Sequence, residues 1–270
     1  MKYLLLIYGA ETCWTEVERH ECMIESMKFC DHLASLQKYI TSAPLQSVST
    51  AASVRVRDGK PLVTAGPFAE TTEQLGGFYI LTLEDLDEAI SVACHLPPAK
   101  KGTVEIRPLL PVSELPDEQT SLIHDHGEAM TAYMLLCYDD EAYWTAAGPD
   151  VHRAAILKAV AVTHELAGRG RYISASPLRP VATATPVRVR NGQRMVTDGP
   201  FAETHEVLGG YYLILATSRD DAIRIAAQHP GATVGTVEVR PLFDTAMLRN
   251  RSMAAPPGVD DAVFQSGISS

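Results

Sequence analysis

The loop that ends at residue 206 holds the densest group of side chains able to do chemistry. Three carboxylates, an imidazole and a hydroxyl lie there within nine residues: Asp198, Glu203, Thr204, His205 and Glu206. A carboxylate beside an imidazole can orient it as a general base when the two come within hydrogen-bond reach. The sequence therefore favours Asp198, His205 and Glu203 as candidate catalytic residues, with Thr204 and Glu206 as candidate ligand-binding residues.

This loop occurs twice in the chain, and the first copy lacks two of its polar residues. Residues 53–80 return as residues 186–213, with 18 of 28 positions identical. Ala65 stands at the position of Asp198, and Thr72 stands at that of His205. A period of about 130 residues is that of a whole small domain, so the pattern predicts a duplication with one polar loop reduced. The polar residues kept in the first copy, which are further candidate ligand-binding residues, are Glu70, Thr71 and Glu73.

Each candidate also has a structural interpretation. Asp198 could close an Asx turn, and His205 could be an exposed loop histidine. Glu203 could form an ion pair with a nearby arginine. Arg188 and Arg190, which lie on one face of a predicted hairpin, could bind an acidic ligand or pair with neighbouring strands.

The elements that must position these loops follow from the hydrophobic pattern. Each copy reads as strand, helix, strand, hairpin, strand, helix, strand, with the first helices from about Val17 to Lys38 and from Val151 to Gly168. Asp58-Gly59 and Asn191-Gly192 are typical of type I′ turns in hairpins. Thr82 and Ser218 are candidate caps for the second helices. We predict an α+β protein of two ferredoxin-like repeats that form an intramolecular pseudo-dimer.

The same pattern predicts where the repeats begin and end. The first repeat is expected over residues 1–110 and the second over residues 132–245. Residues 111–131 are polar and predict a linker long enough for one repeat to dock on the other. The last segment, residues 246–270, is predicted to be a disordered tail.

Composition excludes several classes of partner. The net charge of the 270 residues is −10, and Lys100-Lys101 is the longest basic run, so direct nucleic-acid binding is not expected. No apolar stretch reaches the length needed to span a membrane or to form a signal peptide. The five cysteines are an odd number without matching positions in the two copies, which argues against a disulfide framework. We expect a cytoplasmic protein.

Metal and cofactor sites are not predicted. His124-Asp125-His126 has metal-ligand types, but it lies in the linker without two further partners on a rigid frame. Gly76-Gly77 opens a strand and not a helix, so it does not predict a phosphate-binding loop.

The tetrapeptide Asp198-Gly199-Pro200-Phe201 makes a family resemblance specific. Together with the opening apolar strand and the closing Gly235–Pro241 segment, it resembles the DGPF branch of the YCII-related proteins, across both repeats. The resemblance implies a ferredoxin-like fold that associates as a dimeric α+β barrel with a cleft between sheet and helices. It also implies a link to extracytoplasmic-function sigma factors. The histidine that the wider group uses near the start of the first helix is missing, since Ser26 and Ala159 stand there, so no catalytic dyad is carried over.

Two functions are compatible with this sequence. The first is a small-ligand-binding or regulatory module, which the resemblance would connect to sigma-factor signalling. The alternative is a cofactor-free lyase, isomerase or hydrolase that uses acid–base residues of the second repeat. Fold alone does not choose between them.

Overall fold

The computed structural model describes residues 1–69, 71–123, 126–127, 129–201 and 204–245. The first repeat contains β1 (Lys2–Gly9), α1 (Glu16–Ser35), β2 (Tyr39–Pro44), β3 (Ala52–Arg57), β4 (Lys60–Ala65), β5 (Gln74–Thr82), α2 (Leu86–His95) and β6 (Thr103–Pro108). The second contains β7 (Thr131–Asp139), α3 (Glu141–Ala147), α4 (Pro149–Gly168), β8 (Tyr172–Pro177), β9 (Thr185–Arg190), β10 (Gln193–Val196), β11 (Val207–Ala216), α5 (Arg219–Gln228), α6 (Gly231–Val234) and β12 (Thr236–Pro241). The predicted α+β fold with two ferredoxin-like repeats is confirmed.

Local sequence signals explain most element ends. The turn residues Asp58 and Asn191 both have φ of 52°, and a positive-φ glycine follows each, as the predicted type I′ turns require. Ser218 caps α5 by accepting from the Asp221 amide, as predicted. The prediction for Thr82 was wrong, because α2 starts four residues later and Asp85 accepts from the Glu88 amide instead.

The two hairpins are exchanged between the repeats. Strand β3 of the first repeat pairs with β12 of the second, through Val54 opposite Val237. Strand β9 of the second repeat pairs with β6 of the first, through Val187 opposite Val104. The two six-stranded antiparallel sheets therefore have the orders β10-β9-β6-β1-β5-β2 and β4-β3-β12-β7-β11-β8. Each sheet contains strands of both copies.

The sheets pack face to face, and helices cover their outer faces. Alternate residues of β1 divide between two cores: Leu4 and Leu6 join the core between the sheets, whereas Tyr3 and Leu5 pack under α1 and α2. The central strands are thus buried on both faces, which explains why their sequences are unbroken apolar runs. The second copy covers the sheet face that a lone repeat would leave open.

The repeated Gly-Pro-Phe turns bind to the opposite repeat. The amide of Phe201 donates to Glu105 Oε2 at 2.6 Å, and the Phe201 ring stacks on Tyr8 with centroids 4.7 Å apart. The other copy repeats these contacts, with the Phe68 amide on Glu238 Oε2 at 2.7 Å and its ring 4.4 Å from that of Tyr138. The most similar part of the two copies is therefore the part that joins them.

The predicted linker contacts the second repeat. The Gln119 amide donates to the Ile173 carbonyl on β8 at 2.7 Å, and Leu110, the residue just before the linker, donates its amide to the Pro177 carbonyl of the same strand. The segment also contains a 3-10 turn, Thr120–Ile123, whose Ile123 is buried in the core between the sheets. The predicted tail lies outside the described residues.

Candidate functional site

The candidate catalytic residues Asp198 and His205 both lie at the surface. His205 has 85% of its side chain exposed, and its Nε2 lies 3.7 Å from Oδ2 of Asp140, at the start of α3. Asp198 is exposed, and its carboxylate has no hydrogen-bond partner among the described residues. The structure thus brings His205 to Asp140 and not to Asp198. Glu203 and Glu70 lie outside the described residues.

Three candidate ligand-binding residues take part in contacts between the repeats. Arg188 donates from Nε to the Thr103 hydroxyl at 2.7 Å and lies 3.6 Å from Glu73. In the other copy, Arg55 donates to Thr236 at 2.7 Å, and Glu206 accepts from Thr236 at 2.9 Å. These matched networks hold each hairpin on the opposite repeat. A ligand role for Arg188, Glu73 and Glu206 stays a prediction.

Arg190 and both loop threonines also have structural contacts. The Arg190 guanidinium donates to the carbonyls of Ala99 at 2.9 Å and Lys101 at 3.0 Å, which end a turn of the first repeat. Thr71 and Thr204 each donate to a backbone carbonyl two residues later. The two threonines therefore shape their own turns, and their ligand roles, like that of Arg190, remain untested.

The first repeat has a cleft of about 240 Å³ between α1 and its sheet. Its walls are mainly apolar or weakly polar and include Trp14, Met23, Met27 and Phe78. Glu11 and Arg19 also line this cleft. A mainly apolar lining with a few polar groups is typical of a site for a small organic molecule.

The second repeat has a matching but smaller cleft of about 100 Å³ between α4 and its sheet. At its edge lies Asp139, the last residue of β7, which accepts a hydrogen bond from Trp144 Nε1 at 2.8 Å. Burial raises the pKa of Asp139 to about 6, against the effect of the indole bond, and Glu141 and Glu206 raise it further by repulsion. This carboxylate therefore titrates close to neutral pH.

A histidine completes the wall of the second cleft. His229 is neutral at physiological pH, because burial lowers its pKa to about 4. Its Nδ1 accepts from the Gly231 amide at 3.0 Å, which assigns the ring proton to Nε2. The ring also lies edge-on to Tyr212, with centroids 4.8 Å apart, and close to the Cys137 thiol.

Sequence reasoning missed Asp139 and His229, although the repeat contained a signal for both. In the sequence, Asp139 follows an apolar strand and His229 precedes Pro230 after a helical pattern, so each is typical of the end of an element. The corresponding residues of the first repeat are Gly9 and Leu96, which have neither charge nor hydrogen-bonding side chain. The second cleft therefore has a carboxylate and an imidazole that the first cleft lacks, and the aligned copies show this difference outside the polar loop.

A third cavity, of about 70 Å³, lies between the repeats and is lined by the same Glu and Arg side chains that anchor the Gly-Pro-Phe turns. Arg107 contacts Glu105, and Arg240 contacts Glu238, with all four side chains at most 5% exposed. Burial raises the pKa of Glu105. The Nε atoms of Arg107 and Arg240 have no hydrogen-bond partner among the described residues. The contacts of these glutamates explain why Gly-Thr-Val-Glu and Gly-Pro-Phe repeat together.

Within the described part of the chain, no three His, Cys, Asp or Glu side chains are grouped closely enough to hold a metal ion. His124 and Asp125 lie outside that part. None of the helices in the described ranges has the length and apolar character needed to cross a membrane.

Comparison with known proteins agrees with the duplication. The YCII-related domain matches twice, over residues 1–113 and over residues 131–246. An uncharacterised protein of Rhizobium meliloti strain 1021 is 36% identical over 112 residues, which is 41% of this chain and 90% of that protein. The relative therefore corresponds in length to one repeat.

Proposed function

Since the chain belongs to the YCII-related family, with one family domain in each repeat, we propose that it binds small, largely apolar molecules in the clefts between helices and sheets. The observation that carries this proposal is the cleft of about 240 Å³ in the first repeat. An apolar cavity of about 150 Å³ is enough to hold benzene. The first cleft therefore has room for a bicyclic aromatic ring.

The lining of this cleft favours an uncharged ligand. Methionine side chains such as Met23 and Met27 adapt to irregular shapes and contact aromatic rings favourably. Both charged lining residues are already engaged: the Glu11 carboxylate accepts from the Val48 amide at 2.8 Å and from Ser47, and the Arg19 guanidinium donates to the Glu11 carbonyl at 2.6 Å. Binding would thus depend mainly on apolar burial, with an expected Kd of about 0.1 to 1 mM for a fragment-sized probe.

Indole is a suitable probe, and the repeat offers a matched control. Ser26 lines the first cleft and Ala159, at the corresponding position, lines the second. We expect Ser26→Phe to weaken indole binding in a calorimetric or NMR titration at least about tenfold, because the new ring fills the cavity. Ala159→Phe should leave it unchanged. Equal indole binding by wild type and Ser26→Phe, with both folded by circular dichroism, would contradict the proposal.

Ligand binding of this kind would suit a regulatory protein. The resemblance to the DGPF branch supports association with an extracytoplasmic-function sigma factor, which would place the protein in the cytoplasm. Co-purification with such a sigma factor from the same genome, with and without indole, tests this part. Failure to form a complex under both conditions would remove the sigma-factor partner and leave the binding function intact.

A cofactor-free lyase, isomerase or hydrolase is the second candidate. It is favoured by the contact of His205 with Asp140, which places a carboxylate beside the predicted imidazole in the second repeat alone. Hydrolysis of p-nitrophenyl acetate tests the hydrolase form of this candidate. His205→Ala should lower the rate, whereas His95→Ala, which removes another exposed histidine, should not. Equal rates for the two variants would show only general imidazole reactivity.

A further inference from the structure

The second cleft contains the carboxylate of Asp139, and no cationic side chain of the described part of the chain pairs with it. Its lining includes Asp139 but neither Lys nor Arg among the described residues. The imidazole of His229 is neutral there, because burial holds its pKa at about 4. A carboxylate in such surroundings attracts a cation strongly, since the low dielectric of an apolar wall weakens screening.

One oxygen of this carboxylate is available to a ligand. Trp144 Nε1 donates to Oδ2, whereas Oδ1 has no hydrogen-bond partner among the described residues. Oδ1 lies against Gly209, where the Cβ atom of any larger residue would come within 2.8 Å of it. The glycine therefore leaves room for the carboxylate, and the available oxygen can accept one further charge-assisted bond.

The walls near Asp139 are aromatic and the outer charges are negative. Trp144 stacks on His152 with centroids 4.9 Å apart, and Tyr212 lines the cleft with its ring edge-on to His229. Indole and phenol faces attract ammonium groups. Asp140 and Glu141 add negative potential at this end of the cleft, and Glu206, which Arg55 approaches to 3.7 Å, also repels Asp139.

We propose that the second cleft binds a small alkylamine in its protonated form, with the ammonium group on Asp139 and the alkyl body between α4 and the sheet. This inference rests on the proposed function, because it requires that the clefts admit ligands. It divides the two repeats by ligand chemistry. The first cleft has Gly9 and Leu96 at the corresponding positions and takes uncharged molecules.

Affinity for an amine should rise with pH. With the pKa of Asp139 at about 6, about a tenth of the carboxylate is ionised near pH 5 and nearly all of it near pH 7.5. An alkylamine keeps its proton to about pH 10. We expect about tenfold tighter binding at the higher pH. Among the described residues, the other titratable groups near Asp139 are Asp140 and Glu141 at the start of α3, Glu206 before β11, Cys137 on β7, Tyr212 on β11, His152 on α4 and His229 after α5.

Cyclopentylamine and cyclopentanol form a probe pair that differs mainly in charge and fits a small cleft. We expect cyclopentylamine to shift the NMR signals of the Asp139 amide and the Trp144 indole of the full-length protein. Asp139→Asn, which keeps the side-chain size and an acceptor for Trp144, should weaken cyclopentylamine at least about tenfold. Cyclopentanol should bind weakly and equally to both proteins. Ala159→Phe should exclude both probes.

The possible outcomes distinguish failure of the amine site from failure of the proposed ligand-binding function. Equal affinity of wild type and Asp139→Asn for cyclopentylamine would overturn the amine site, even if both probes enter the cleft. Failure of either probe to enter the second cleft, while indole still binds the first, would also overturn it and leave the proposed function standing. Failure of all three probes would refute both. The variant Gly9→Asp, which transfers the carboxylate to the first cleft, should gain binding of cyclopentylamine there.

Discussion

Replacing Asp139 by asparagine should stabilise the protein at neutral pH. The carboxylate has a pKa of about 6 in the folded protein and an ordinary value of 3.8. An acid whose pKa rises on folding binds its proton more tightly in the native state, so its stabilising contribution is complete below about pH 4 and is lost as pH rises through 6. Above that pH the ionised group opposes folding.

The size of the effect follows from the two pKa values. A difference of a factor of ten in proton affinity corresponds to ~1.36 kcal/mol, so the change from 3.8 to about 6 gives about 3 kcal/mol. Because Asp139 is only partly buried, water screens some of this energy. We expect Asp139→Asn to raise the free energy of unfolding by about 1 to 3 kcal/mol near pH 8 and to leave it nearly unchanged near pH 4.

The wild-type pH profile alone would hide this effect. His229 has a pKa lowered from 6.5 to about 4, so its contribution to stability is present above pH 6.5 and is lost as pH falls toward 4. Asp139 and His229 therefore have opposite pH dependences over almost the same range. The difference between wild type and Asp139→Asn isolates the carboxylate, and His229→Leu, the residue of the first repeat, isolates the imidazole.

Urea unfolding followed by circular dichroism at several pH values between about 4 and 8 measures these differences. Asp198→Asn is the control, because it makes the same chemical change at an exposed carboxylate without a hydrogen-bond partner among the described residues. A difference between wild type and Asp139→Asn that is the same at every pH would refute the buried-acid explanation. So would an equal effect of Asp198→Asn.

Three further predictions test the contacts between the repeats. Arg190→Ala and Arg57→Ala should each lower the free energy of unfolding by about 1 to 3 kcal/mol in urea titrations, because each arginine donates to several carbonyls of the opposite repeat; a loss of under about 0.5 kcal/mol in both would contradict this. Phe201→Ala and Phe68→Ala should each cost about 2 kcal/mol, since each ring stacks on a tyrosine of the other copy; unequal losses would show that the two copies do not contribute equally. The fragment 1–113 should elute from size exclusion as a folded dimer that exchanges hairpins, and a folded monomer would show that β6 does not need a partner hairpin.

The sequence predicted the fold well because the relevant signals are local. Apolar runs, the Asp58-Gly59 and Asn191-Gly192 turns and the cap at Ser218 each depend on a few neighbouring residues. The exchange of hairpins could not be predicted in this way. The partner strands Thr103–Pro108 and Thr236–Pro241 differ only at Ile106 and Val239, so either strand offers the hairpin nearly the same edge.

The candidate site was harder to predict than the fold. The polar loop was predicted as a site because its residues are close in sequence. In the structure, Glu73 pairs with Arg188, and Glu206 with Arg55, across the repeats. The cleft residues Asp139 and His229 are far apart in sequence and become neighbours of one cavity through the sheet. Both residues are candidates for function because burial shifts their pKa values. Burial depends on the tertiary fold, so no local sequence pattern predicts it.

The exchange of hairpins explains which positions can differ between the two copies. The Phe201 amide of one repeat binds Glu105 of the other, and the same contact recurs with the roles of the repeats reversed. A change in either partner would therefore disturb an interface that both repeats need. Residues such as Asp139 and Gly9 line a cleft within their own repeat, so one can change without a matching change in the other copy. A duplicated chain of this design can keep its interface symmetric while one cleft acquires a charge that costs stability.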